Sequence, residues 1–369
     1  MESIGCGIKF ISCPLLNMPK KEPDTKRRGR VSCGCFGSHS SFEGTPARER
    51  DGKNSDYAMV ENVEDMKARV VNEFDAASFY TVASEDQEPV PGEKVCLDNT
   101  FLMGSTVPHE SSGTSSTCWR ECEHDFFNIR VGPDYKKRGL KCPSLSYFYE
   151  PFGLDVLRSD VIISNVAPNL MFPPQPSYYD SACGLPAVLI VNTQLPLLSP
   201  SIFSSSDNDP GWSCIGYYRI RKEAVDWGLG SAVSPPAVSV FKRMLARGFS
   251  DRSLAFKAIG MVSELEKQNL PMAGLIAKYN GKPVLVTASS TFHKGTVPYP
   301  YLEIDYNVRK WSLIARTTLV QLSDQLKNLT VHVGYLVEAT ENEDLPERML
   351  GGTTVRNLDL ESAKFVKFD

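Results

Sequence analysis

The sequence predicts an α+β domain with a mainly antiparallel sheet packed against one long helix in its C-terminal half. Three observations predict it. β-rich runs follow one another instead of alternating with helices, Asn280-Gly281 joins two of them with a dipeptide that tolerates a tight hairpin turn, and an apolar stripe at helical spacing starts at Trp311. At 369 residues, 41% hydrophobic and 23% charged, the chain can hold one large domain or two modest ones.

Residues 1–50 hold nine Lys/Arg against five Asp/Glu and are rich in Gly, Ser and Pro. They carry no sustained hydrophobic period, so they cannot bury enough apolar area to offset the entropy of ordering. Residues 51–117 reverse the balance, with four Lys/Arg against thirteen Asp/Glu. Within them Val63, Met66, Val70, Phe74 and Ala77 recur at steps of three and four behind Glu61, Glu64 and Asp65, which predicts a docking helix over 60–77. Residues 84–117 return to a linker composition. The expected organisation is therefore a largely disordered arm over 1–117, basic and then acidic, followed by one folded domain over 118–366.

From Cys118 onward the expected strands are FFNIRV (126–131), LPAVLIVNTQ (185–194) and CIGYYRI (214–220). AGLIAKYNGKPVLVTA (273–288) is the expected hairpin, and YPYLEIDYNVRK (299–310), VHVGYLVEA (331–339) and MLGGTTVRNLDL (349–360) add further strands. Segments 166–180 and 228–240 read as surface loops. Trp311, Ala315, Leu319, Leu322, Leu326 and Leu329 form the stripe of the long helix, with Arg316, Ser323, Asp324 and Lys327 on its other faces.

Charge and composition exclude several classes. Residues 118–369 are nearly balanced, at 27 Lys/Arg against 26 Asp/Glu, which argues against a nucleic-acid partner, since that needs clustered cations. No run of eighteen apolar residues exists, and MESIGCGIKFISCP lacks the apolar block of a secretory signal, so a cytoplasmic chain with reduced thiols is expected. Asn328-Leu329-Thr330 then matches the glycosylation pattern by chance. No G-x-S-x-G elbow, H-E-x-x-H, Walker loop or G-x-G-x-x-G occurs, and no cofactor is expected.

Glu303 and Asp305 are the sharpest candidates for catalysis. Side chains two apart on a strand share a face, a placement compatible with a two-carboxylate, hydrolase-like site. The same alternation offers the structural alternative: with Leu302, Ile304 and Tyr306 turned to the core, both acids face water or Arg309, Lys310 or Arg316, and pin the strand to the helix beginning near Trp311. His293 and His332 have no partner visible in sequence. Cys118, Cys122 and His124, with Cys142, are soft ligands for a zinc site or, at a spacing that matches no recurring zinc pattern, scattered thiols. In the arm, Lys26, Arg27, Arg28 and Arg30 adjoin Cys33 and Cys35. Such a patch attracts anionic lipid, palmitate on either cysteine would add a second anchor, and phosphate on Ser32 would weaken the attraction. The alternative is a solvated tail with spare thiols.

The order of motifs resembles the C-terminal domain of the plant enhanced disease resistance two family, a domain of unknown function. The matching pieces are CWRECEHDFFNIRVGPDYKK (118–137), GLPAVLIVNTQLP (184–196), FKAIGMV (256–262), YLEIDYNV (301–308), Ala315-Arg316, and LVEATENEDLPERMLGGTTVRNLDLESA (336–363). Leu302, Glu303, Ile304 and Asp305, taken with Leu345, Pro346 and Glu347 of the acidic turn, are the most specific of these. The resemblance covers about 118–366 and lacks the upstream pleckstrin-homology and START domains of the plant protein, so phosphoinositide binding does not carry over. Gln321, Ser323, Asp324, Gln325 and Lys327 depart from the apolar helix of the plant form and leave one face polar. The resemblance implies a non-catalytic regulatory or lipid- and membrane-associated module, with no catalytic residues to inherit. Sheet against helix would suit an apolar ligand; a hydrolase-like enzyme and a protein-interaction scaffold are the alternatives.

Overall fold

A computed structural model describes residues 101–112, 115–197, 210–247 and 255–366. The predicted helix 60–77 and the basic, cysteine-bearing stretch of the arm lie outside the described residues.

Two mainly antiparallel sheets form the frame. In chain order their strands are β1 (Cys118–Glu121), β2 (Tyr149–Ser159), β3 (Val188–Pro196), β4 (Gly211–Ile220), β5 (Phe256–Val262), β6 (Pro283–Leu285), β7 (Ser290–Gly295), β8 (Tyr301–Asn307), β9 (Thr330–Val337), β10 (Met349–Arg356) and β11 (Lys364–Phe365). The six-stranded sheet runs β7-β8-β3-β4-β2-β11, and the five-stranded sheet β6-β5-β9-β10-β1. Only the β8–β3 and β2–β11 neighbours are parallel. β3 sits in the middle of its sheet with Val188, Leu189, Ile190 and Val191 essentially inaccessible, the continuous apolar run expected of a strand covered on both faces.

The sheets meet through Tyr218 of β4. Its ring lies edge-on to Tyr335 of β9, with centroids 5.9 Å apart, and its hydroxyl is 2.9 Å from Thr353 Oγ1 of β10. Gly351 makes room for it, since a Cβ there would stand 2.8 Å from the ring. On the far side of the six-stranded sheet, residues 101–107 and 160–172 form a cover, joined by the short parallel pair Phe101–Leu102 and Leu170–Met171. Gly104 crosses β2 at Gly153 so closely that a Cβ on Gly104 would stand 2.5 Å from the Gly153 Cα. This contact lets Gly104 and Thr106 donate their N–H groups to buried Asp155, each at 2.8 Å. Residues 101–107 and 118–119, the first of them linker-like by composition, thus contribute packed structure.

Among the described residues the helices are few and short: α1 (Lys222–Leu229), α2 (Pro236–Arg247), α3 (Ala273–Tyr279) and α4 (Leu313–Ser323), besides the single turn Tyr135–Arg138. Three corrections to the sequence reading follow. The expected long helix is α4, 11 residues, capped by Ser312, whose Oγ accepts the Ala315 N–H. Bonds from Gln325, Asn328 and Leu329 reach back three residues and tighten the chain into a 3-10 turn before β9 starts at Thr330. The leucine steps did not separate these cases, because a spacing of three also fits a 3-10 turn. The expected hairpin is instead α3 followed by β6: Gly281 adopts φ +69° after the helix, a conformation that serves a helix C-terminus as well as a tight turn. Finally, the expected loop 228–240 contains the start of α2, whose Pro236 occupies the first helical position, where a missing N–H is harmless. Among the described residues no helix is long and apolar enough to cross a membrane.

Candidate functional site

β8 is buried along its whole length, which corrects the expectation that Glu303 and Asp305 face water or basic neighbours. Leu302, Ile304 and Tyr306 turn toward the space between the sheets, as alternation predicts, but the opposite face is roofed by the segment 163–169. Glu303, at 0% exposure, accepts the Val166 N–H at 2.7 Å and the Ala167 N–H at 2.9 Å. Asp305, at 2%, accepts the Asn165 N–H at 2.9 Å, Asn192 Nδ2 at 3.0 Å, His293 Nε2 at 3.1 Å and the Ser164 hydroxyl. Asn165 takes φ +53° to reach this position. Burial, followed by the adjacent Asp305 charge, pushes Glu303 well above the usual carboxylate range. A carboxyl buried beside a like charge resists ionisation, so Glu303 is the group that keeps its proton. The acids therefore clasp a loop to the sheet, on the face opposite α4; they do not pin the strand to that helix. Asn192 and Ser164 complete the clasp, and the sequence signal for Asn192 was a polar residue inside an apolar strand.

Glu347, the last residue of the acidic-turn motif, is also a clasp. At 3% exposure it accepts Arg130 Nε at 2.8 Å, the Arg130 N–H at 3.1 Å and the Ala339 N–H at 3.2 Å. Arg130 further contacts Glu338 at 3.0 Å. Leu345 and Pro346, joined by a cis peptide, lead the chain into this contact.

His332 has partners that its sequence did not reveal. Nε2 lies 2.6 Å from Ser263 Oγ, Nδ1 lies 2.9 Å from Thr354 Oγ1 and 3.9 Å from Cys122 Sγ, and Phe126 packs on the ring. Burial lowers the imidazole to about 4 and raises the Cys122 thiol to about 11. Both shifts favour neutral forms, the reverse of an activated cysteine–histidine pair. His124 turns instead to Glu121 and Tyr147, and among the described residues no three His, Cys, Asp or Glu side chains are grouped to hold a metal.

The remaining feature is a cavity of about 310 Å³ between the two sheets, closed along one side by α3 and α4. Neither Glu303 nor Asp305 lines it. Its walls are mostly aliphatic and aromatic; hydroxyls come from three strands of the six-stranded sheet and two of the other, and further polar groups from Thr318 and Ser323 of α4 and from Tyr279, Asn280 and Lys282 at the end of α3. Thr193 donates to the Tyr306 hydroxyl at 2.6 Å, and Tyr335 of β9 lines the same cavity. Tyr218 and Thr353 form a second pair. Burial raises Tyr306 to about 12 and Tyr335 well above its ordinary value, so both phenols stay neutral. Trp311 stacks on Tyr306, centroids 6.5 Å apart, and leads into α4, whose Ala315, Leu319 and Leu322 face the cavity. Sequence reasoning missed these hydroxyl residues, because only cross-strand register brings them together.

Residues 119–359 match the family described as Protein ENHANCED DISEASE RESISTANCE 2, C-terminal. No curated protein and no solved structure gives a match.

Proposed function

The chain belongs to the family of the ENHANCED DISEASE RESISTANCE 2 C-terminal domain, and on that premise we propose that its domain is a non-catalytic module that takes an apolar ligand between its two sheets. The observation that carries the reading is the cavity of about 310 Å³, within the range of small-ligand pockets, with an almost wholly apolar lining. An apolar space of this size in a core otherwise filled by large side chains loses the contacts that would line it, so an occupant is favoured there. Uptake of diphenylhexatriene, which fluoresces in apolar surroundings, tests the reading. Saturable uptake by the full chain, abolished when Ala315→Phe fills the cavity from α4 with the fold intact, is expected. Absence of uptake, or uptake unchanged in Ala315→Phe, would refute it.

The hydrolase-like alternative has less to stand on, since Glu303 and Asp305 are buried under residues 163–169 and their acceptor positions are taken by that loop. For location we propose a cytoplasmic chain that reaches membranes peripherally through Lys26, Arg27, Arg28 and Arg30, with Cys33 and Cys35 as acylation candidates. Flotation with anionic vesicles, with and without residues 1–50, tests this: equal recovery of both chains would sink it. A protein partner in place of a lipid would appear as a chain that binds neither probe nor vesicle.

A further inference from the structure

We infer that the ligand of the inter-sheet cavity is an uncharged amphiphile with a single hydrocarbon body and a hydroxyl head, anchored by the cluster of Thr193, Tyr306, Tyr335, Tyr218 and Thr353. The inference rests on the reading of the cavity as a ligand site. Three observations narrow the class.

The first is charge. Among the lining residues Lys282 alone is charged, and it is exposed at the rim on the turn between α3 and β6. An ionised head drawn into the interior would meet no counter-charge, and a buried unpaired charge is far more costly than a buried neutral polar group. No lining carboxylate is available to hold a cation either.

The second is the polar chemistry at the inner end. Tyr218, Tyr306, Tyr335 and Thr353 are 1%, 5%, 4% and 3% exposed, so the hydroxyls lie away from the rim. Each hydroxyl brings one proton and two lone pairs. A cluster made of hydroxyls alone, bonded internally as Thr193 to Tyr306 and Tyr218 to Thr353, keeps lone pairs in excess after its protons are used. Such a cluster accepts a proton from a ligand O–H and can rotate one hydroxyl to donate in return. An anionic head brings only more lone pairs, and a pure hydrocarbon leaves the excess unmet.

The third is size. A volume of about 310 Å³ lies at the lower end of the range for ligand pockets, which suits one chain or one ring system and not two acyl chains. Long-chain alcohols and sterols share the resulting chemistry.

Competition against diphenylhexatriene on the full chain at about pH 8 tests the assignment, with hexadecan-1-ol, hexadecane and hexadecanoate as competitors of equal chain length. Hexadecan-1-ol should displace the probe at a concentration at least about tenfold below that of hexadecanoate, a gap of one factor of ten per 1.4 kcal/mol. Tyr335→Phe and, as a second variant, Tyr306→Phe should each reduce the advantage of the alcohol over hexadecane about fivefold, one ordinary hydrogen bond, with both competitors measured against the variant's own probe affinity. Hexadecanoate competing as well as the alcohol, or an alcohol advantage that survives both variants, would overturn the assignment while leaving the cavity a ligand site. Failure of the wild-type chain to take up the probe would overturn the ligand-site reading itself.

Discussion

Glu303→Gln keeps the shape of a buried acid and removes its titration, so two losses should follow. Glu303 accepts Val166 N–H on Oε1 at 2.7 Å and Ala167 N–H on Oε2 at 2.9 Å. Glutamine has one acceptor oxygen, so one of those backbone donors then faces an NH₂ group; an unpaired buried donor costs about 1–3 kcal/mol. The second loss concerns pH. Burial, and after it Asp305, raises the Glu303 carboxyl well above 4.5. With a folded-state value above the unfolded one, its stabilising contribution is fully present below 4.5 and is lost as pH rises through the folded value. The slope can reach about 1.4 kcal/mol per pH unit. His332 acts in the opposite sense: burial holds it at about 4 instead of 6.5, so its contribution is present above 6.5 and is lost as pH falls through 4. The two slopes oppose each other between those limits, but the difference between wild type and Glu303→Gln cancels His332. Urea denaturation of both chains from about pH 5 to about pH 8 supplies that difference. It should favour the wild type at the acid end and shrink as pH rises. A variant as stable as the wild type at about pH 5, or a difference that does not change with pH, would refute the clasp by a protonated Glu303.

Asp305→Ala should cost about 3–5 kcal/mol in the same denaturation assay, because Asn165 N–H, the Asn192 amide and the Ser164 hydroxyl all lose a buried acceptor. Glu347→Ala should cost about 3 kcal/mol by stranding Arg130 and the Ala339 N–H, whereas Glu343→Ala, exposed in the same turn, should stay within about 0.5 kcal/mol. Asn280→Ala should cost about 1–2 kcal/mol and speed amide exchange at Val262, since Asn280 Oδ1 accepts the Val262 N–H at 2.7 Å and Nδ2 donates to the Val262 carbonyl at 3.1 Å.

The strands were the legible part of this fold. LPAVLIVNTQ and VHVGYLVEA are long enough and sufficiently β-branched that no helix competes, and both form central strands. Gly281 misled because positive φ fits two kinds of turn, and Pro236 because a proline pair marks a helix start as readily as a loop. The alternation of YLEIDYN correctly put Glu303 and Asp305 opposite Leu302 and Ile304. It carried no information about residues 163–169, more than a hundred positions earlier, which cover that face. The cavity was hidden for the same reason: Thr193, Tyr306 and Tyr335 each stand out as polar residues in apolar strands, yet their meeting depends on the register of β3 with β8 and on how the two sheets stack. The family match over 119–359 places the chain without deciding what fills the cavity.

Native mass spectrometry of the purified full chain, before and after solvent extraction, tests the central claim most directly. The account predicts an extractable adduct of single-lipid mass, or one acquired on incubation with hexadecan-1-ol, and its loss in Ala315→Phe at unchanged charge-state distribution. A wild-type chain that stays at its bare mass under both conditions would contradict it.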